Sequence, residues 1–210
     1  MKRLLILGGG ELGRQVAHWA LTTHRFEIVG FADDNLPKKQ ESLGGYPVLC
    51  KIDEVIRLYA DGLFDEAFIA IGYMHFPLRK KLYLLMKEHN IPLATIISPH
   101  VYIDPTAQIG SGVIIYPGSI VDKDTVIGDN NLINLGCVIA HDSTIGCHCF
   151  LSPNVTVAGF TEIGESCFLG CSSTILDNLK VTSGVTVGAG SLIRHDLTEP
   201  GTYIAQKKIK

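Results

Sequence analysis

The sequence predicts a left-handed parallel β-helix behind a small Rossmann-like α/β domain. Three observations predict it: an aliphatic residue at every sixth position of the second half, an Ile-Gly pair at every eighteenth, and alternating strand and helix patterns in the first hundred residues. The two parts are expected to divide at residues 1–96 and 97–210.

The six-residue period starts at Ile97 and runs through Ile103, Ile109, Ile115, Val121, Ile127, Ile133, Ile139, Ile145, Leu151, Val157, Ile163, Leu169, Ile175, Val181 and Val187 to Ile193. Four residues after each anchor stands a small or aliphatic residue, such as Ser119, Thr125, Cys137, Ser143, Cys149 and Cys167. A helix of 3.6 residues per turn cannot keep such anchors on one face, because successive steps of six carry them around its surface. Short strands joined by turns can, with one hexad forming one side of a coil and neighbouring coils burying each other. Ile109-Gly110, Ile127-Gly128, Ile145-Gly146 and Ile163-Gly164 then set three hexads to a coil, so that residues 18 apart stack. By itself this gives a solenoid, which serves equally as a scaffold.

The first half alternates. Leu4–Leu7 reads as a buried strand ending in Gly8-Gly9-Gly10, and residues 12–21 as a helix. Glu27–Phe31 reads as a second strand closed by Asp33-Asp34-Asn35. Asp53 is expected to cap a helix ending before Gly62. A strand over Ala67–Ile71, a helix over Leu78–Glu88 and a last strand over Leu93–Ile97 complete a parallel α/β unit. Gly8-x-Gly10-x-x-Gly13 follows a strand and opens a helix, with Asp33 20 residues after Gly13. That spacing places a pyrophosphate at a helix N-terminus and an acid near a ribose. It fits an NAD-dependent oxidoreductase or a nucleotide site, and glycines that serve only a tight turn fit it too. Only about 96 residues precede the repeats, roughly half of a two-lobed dinucleotide fold, which favours a single nucleotide diphosphate.

Composition removes several classes. The 210 residues carry a formal net charge of -3, with 19% charged residues, so there is no basic surface for nucleic acid or an anionic membrane. Mean hydropathy is +0.25, yet no apolar run approaches the roughly 20 residues of a membrane span. The short apolar start before Gly8 is too brief for a signal peptide, and a cytoplasmic protein is expected. The six cysteines lack paired-loop spacing, and those at small inward positions act as compact hydrophobes. Cys147-x-Cys149 lacks the second ligand pair of a zinc site, and no metal is expected.

Residues that the repeat does not require are Asn134, His141, Asp142, His148 and Phe160. His141-Asp142 falls at a coil turn, where the imidazole is either a surface histidine or a general base oriented by its neighbour. With an 18-residue coil, Lys123 and Gly159 lie above and below it. A β-helical zinc hydratase would need three converging imidazoles, and His141 and His148 fall on different sides of the coil.

Gly8 through Gly13, Phe31-Ala32-Asp33-Asp34, Ala70-Ile71-Gly72 and residues 134–170, above all Val138 through Gly146, resemble the hexapeptide-repeat acyltransferases of the sialic acid O-acetyltransferase and bacterial UDP-amino-sugar N-acetyltransferase type. The resemblance spans nearly the whole chain. It implies acetyl-CoA as co-substrate and a nucleotide-linked, UDP-4-amino sugar acceptor used for surface glycans or glycoproteins. A sugar hydroxyl, as in sialic acid, is the alternative acceptor. His141 matches the family's base, Asp142 the acid that raises its basicity, and Gly159 the glycine whose N–H meets the thioester oxygen. The nucleotide sugar would be lined by Gly8, Gly10, Glu11, Leu12, Asp33, Asp34 and Gly72. Phe150 stands where the family carries a second histidine near acetyl-CoA, with His148 two residues before it. Cys171 and Ala189 match backbone positions beside the cofactor, and Lys180, Arg194, Lys207 and Lys208 are candidates for its phosphates. The usual Gly-x-Pro-Ala-Lys ending is replaced by Ile204-Ala205-Gln206-Lys207-Lys208. Family members form homotrimers with the cofactor between subunits, and the same is expected of this chain.

Overall fold

The computed structural model describes residues 1–35, 45–205 and 207–209. The chain separates into two compact units, residues 1–96 and 97–210.

In the first unit, β1 (Lys2–Leu7), β2 (Phe26–Ala32), β3 (Val48–Cys50) and β4 (Glu66–Ile69) form a parallel sheet in the order β3-β2-β1-β4. The helices are α1 (Glu11–Thr22), α2 (Val55–Ala60) and α3 (Phe76–Glu88). Leu4 through Leu7 are fully buried, as an apolar run between two covered faces should be. The strand order reverses beside β1, so the carboxyl ends of β1, β2 and β4 border the crevice where open α/β sheets take ligands.

Two expectations for this unit need correction. Asp53 caps no helix: the helical segment opens one residue earlier, as a 3₁₀ turn over Ile52–Glu54 that runs into α2. Glu54 reaches back to the Lys51 N–H at 3.0 Å and Asp34 takes the Ile52 N–H at 2.9 Å, so the first turn is satisfied without Asp53. Residues 93–97 form no strand of this sheet. Leu93 makes one parallel bridge to Ala67, and Ile96–Ile97 joins a sheet of the β-helix, because Ile97 already carries the first six-residue anchor.

In the second unit, two-residue strands stack in parallel with partners 18 apart. One face runs Gln108, Val126, Thr144, Glu162, Lys180. A second runs Tyr102, Ile120, Val138, Thr156, Thr174, Leu192, and a third includes Ile114, Leu132, Phe150, Phe168 and Thr186. The coil is therefore triangular, consistent with the left-handed β-helix expected, and the anchors Val121 through Ile193 line an apolar interior. Most of the small polar positions are buried with a bonding partner, the Ser173 hydroxyl being an exception. Ser119, Thr125, Ser143 and Thr161 donate to the carbonyl oxygen 15 residues on, and the Cys137, Cys149 and Cys167 thiols do the same. A buried hydroxyl or thiol without such an acceptor would be destabilising.

Every sixth residue from 112 to 190 has positive φ. These residues turn the three corners, and most are Gly, Asn or Asp, the types that tolerate the left-handed region. Gly201–Ile204 pairs in parallel with Val185–Val187, and Lys207–Ile209 folds back antiparallel to close that face. The atypical ending is thus a hairpin, of which Gln206 lies outside the described residues.

Candidate active site

His141 and Asp142 sit at the corner between the Val138 and Thr144 strands. His141 Nδ1 lies 2.9 Å from Asp142 Oδ2. A carboxylate only accepts, so Nδ1 carries the hydrogen and Nε2 is left to take a proton. The His141 side chain is 46% exposed. One coil on, the imidazole lies flat over Gly159: a Cβ there would come within 2.8 Å of Cε1 and 3.0 Å of Nε2. Only glycine leaves room for the ring. No acceptor among the described residues takes the Gly159 N–H. Phe160 completes the corner, its ring 5.1 Å from that of His141 and nearly perpendicular to it. The corner can hold a general base, its orienting acid and a backbone donor within a few ångströms of one another, which are the parts acyl transfer needs.

A cleft of about 530 Å³ opens on the Thr144 face, lined by Thr144, Glu162, Gly164, Lys180, Thr182 and Leu197. Within it Lys180 is paired to Glu162 at 3.1 Å. Lys208 is paired to Glu199 at 2.7 Å.

The residues expected near the donor lie elsewhere. Cys171 and Ala189 are exposed beside the left-handed residues Ser172 and Gly190, at the corner between the third and second faces. Phe150 lies on the third face, 8% exposed and stacked on Phe168 at 5.7 Å between centroids. His148 turns the remaining corner, 4% exposed, with Nδ1 2.9 Å from the Asn130 amide nitrogen. That nitrogen only donates, so His148 accepts through Nδ1 and holds a structural corner apart from His141. Within one chain, then, His141, Asp142 and Gly159 meet, while Phe150, Cys171 and Ala189 are separated from them by the Val138 face.

No cysteine is placed as a nucleophile at the His141 corner. Cys137, Cys149 and Cys167 are buried, and burial pushes the Cys137 thiol up to about 12. Cys149 points inward while Cys147 lies at the turn, so the pair does not converge on a metal. Among the described residues no cluster of His, Cys, Asp or Glu could hold a metal ion, and no helix is long and apolar enough to cross a membrane.

In the α/β unit, the expected nucleotide residues gather at the carboxyl ends of β1, β2 and β4. Gly8 is left-handed at φ 105°, and a Cβ on it would lie 2.7 Å from the Ala70 carbonyl oxygen. A Cβ on Gly13 would run into the Gly8 carbonyl oxygen, so α1 packs on β1 only with glycine there. Gly10 and Gly72 face open space; their missing side chains leave room for a ligand. Asp33 ties the loop together, accepting the Gly9 N–H and the Asn35 N–H, each at 2.8 Å. Asp34 holds the Ile52 N–H. Both carboxylates thus have structural partners that spacing could not reveal. Glu11 pairs with Arg14, and Leu12 is half-buried.

A Rossmann-like unit followed by a triangular β-helix is the architecture that the resemblance to hexapeptide-repeat acyltransferases implies. Residues 3–84 match the family model described as the PglD N-terminal domain. The chain is similar along its whole length to the acetyltransferase domain of PglB from Neisseria gonorrhoeae (25% identity, TM-score 0.90, all of both chains). It is also similar to PerB from Caulobacter crescentus, solved in complex with CoA and GDP-perosamine (28% identity, TM-score 0.91, 100% and 98% of the two chains). WeeI from Acinetobacter baumannii shares the fold at 21% identity, with a TM-score of 0.76 over 100% and 99% of the chains. No protein of curated function matches the chain significantly in sequence. The first unit thus matches the PglD N-terminal domain, and the whole chain is similar to solved sugar acetyltransferases.

Proposed function

We propose that this protein transfers the acetyl group of acetyl-CoA to the amine of a nucleotide-linked amino sugar, with His141 as general base. The observation that carries the reading is the corner itself: an imidazole with Nδ1 held by Asp142 and its face against Gly159. The free amine attacks the thioester carbon and His141 Nε2 takes its proton. Charge develops on the thioester oxygen, where the Gly159 N–H donates. Collapse breaks the C–S bond, and the CoA thiolate leaves and recovers the proton from the imidazolium. Atoms balance without an enzyme-bound acyl group, and proximity provides much of the rate. In this reading the α/β unit holds the nucleotide through the Gly8–Leu12 loop, Asp33, Asp34 and Gly72.

The resemblance of the nucleotide loop favours a UDP-4-amino sugar. A GDP-linked sugar is the second reading, because PerB was crystallised with GDP-perosamine. The separation of Phe150, Cys171 and Ala189 from His141 within one chain supports a homotrimer in which the donor lies between one subunit's His141 corner and its neighbour's Cys171 corner. The exposed Tyr102, Ile120 and Leu135 flank the surface such an assembly would cover. The use of acetyl-CoA as donor supports a cytoplasmic location.

Release of free thiol from acetyl-CoA in the presence of UDP- and GDP-linked 4-amino sugars and of sialic acid tests the assignment. Turnover is expected with an amino-sugar nucleotide, and His141→Ala is expected to lower it by about two to four powers of ten. Turnover with sialic acid alone would move the assignment to a hydroxyl acceptor, and an undiminished His141→Ala variant would remove the base.

A further inference from the structure

Phe160 occupies a position that its side chain does not suit. Its φ is 55°, in the left-handed region, and its equivalents in other coils along that corner are Asp124, Asp142 and Asn178. Those types enter this region readily, whereas a bulky aromatic does so rarely. Nor does burial compensate, for Phe160 is 54% exposed. Its backbone is held by a hydrogen bond from its N–H to the His141 carbonyl at 3.1 Å, which any residue could make. A strained backbone carrying an exposed aromatic beside a reactive group is a feature retained for what the ring touches.

We infer that Phe160 is a specificity-determining residue of the acceptor subsite, its ring receiving the apolar C–H face of the amino sugar and turning the amine toward His141 Nε2. The inference rests on the acetyl-transfer reading and adds the surface that orients the acceptor. Whatever gives its proton to His141 approaches within hydrogen-bond distance of Nε2. A ring centred 5.1 Å from the imidazole and standing edge-on to it is then within van der Waals reach of the same molecule. The proton donor is the acceptor amine, so the acceptor meets the ring. Pyranoses present C–H groups on one face, and a flat aromatic surface accepts these.

The test compares wild type with Phe160→Asn and Phe160→Tyr. The acceptor is the member of the UDP- and GDP-amino-sugar panel that wild type binds most tightly by calorimetry without acetyl-CoA. Phe160→Asn is expected to weaken that Kd and raise the acceptor KM about tenfold, to leave the acetyl-CoA KM unchanged, and to raise Tm, since Asn relieves the backbone. Phe160→Tyr keeps the ring face and is expected to retain wild-type affinity. An unchanged acceptor Kd and KM in Phe160→Asn, a lowered Tm with equal loss toward both substrates, or a change in oligomeric mass would each overturn the inference. Wild type that binds the amino sugar, loses it on Phe160→Asn and yet never transfers acetyl would leave the subsite standing and remove the acetyl-transfer reading instead.

Discussion

Asp142 answers to two demands at once. Its φ of 57° makes it one of the left-handed corner residues, and its carboxylate orients His141. The same corner position holds Asp124 one coil back, paired to Lys123 at 2.9 Å, so an acid there is also an ordinary way to turn the chain. Phe160 resolves the ambiguity for its own case: a left-handed bulky residue costs about 1–3 kcal/mol, and no corner needs a phenylalanine. Gly159 is explained by space alone. Gly159→Ala is expected to fold, because the position is not left-handed, but the added methyl displaces the imidazole. A shift of about 1 Å at a base costs on the order of a hundredfold in kcat. Steady-state kinetics with both substrates check this, and wild-type kcat in the alanine variant would mean that His141 moves aside freely.

At the scale of elements, the β-helix was legible because its signal is redundant. Each coil repeats the same demand on the same side chains, and truncating one inward anchor such as Ile139 would cost about 2–5 kcal/mol. Spacing also brought His141 to Gly159, 18 residues apart. It did not reveal the ring of Phe160 against His141, although the missing signal was present: a phenylalanine in a corner series otherwise rich in Gly, Asn and Asp. The α/β unit was less legible. β3 has three residues, too few to show a period, and the Asp34–Ile52 and Asp33–Gly9 bonds join residues with no pattern between them. Arg3 is of the same kind. Its guanidinium lies 2.6 Å from Asp65 and 2.6 Å from the Gly62 carbonyl, tying the start of β1 to the loop before β4. The Arg3 hydrogen bonds hold the Asp65 carboxyl at about 2, below the ordinary 3.8. A depressed carboxylate adds stability above the ordinary value, and that stability fades as pH falls toward 2. Asp65→Asn is therefore expected to lower Tm at pH 7, with the gap to wild type closing between about pH 4 and pH 2. Thermal melts across that range measure it, and a gap independent of pH would show that the ion pair contributes nothing.

For the whole molecule, the proposed function gives the two units separate tasks in one chain, and ligands are expected to report on them separately. A nucleotide sugar at one hundred times its Kd stabilises whatever it binds by about 2.7 kcal/mol. Scanning calorimetry is expected to show that gain for the transition containing residues 1–96, while acetyl-CoA raises the transition of the β-helix. A single transition shifted equally by both would mean that the units unfold as one. Light scattering is expected to give three times the 22.8 kDa of one chain, and a monomeric mass with full turnover would require Phe150, Cys171 and Ala189 to have no part in donor binding. The unbroken 18-residue pairing has a further consequence for how such a chain can change in length. Removing one full circuit leaves every later side chain on its original edge of the prism, whereas removing a single hexad rotates all that follows by a third of a revolution. Lengthening and shortening are then quantised, and a lesion of six residues after His141 would carry Gly159 to the wrong edge while every inward aliphatic stayed in place.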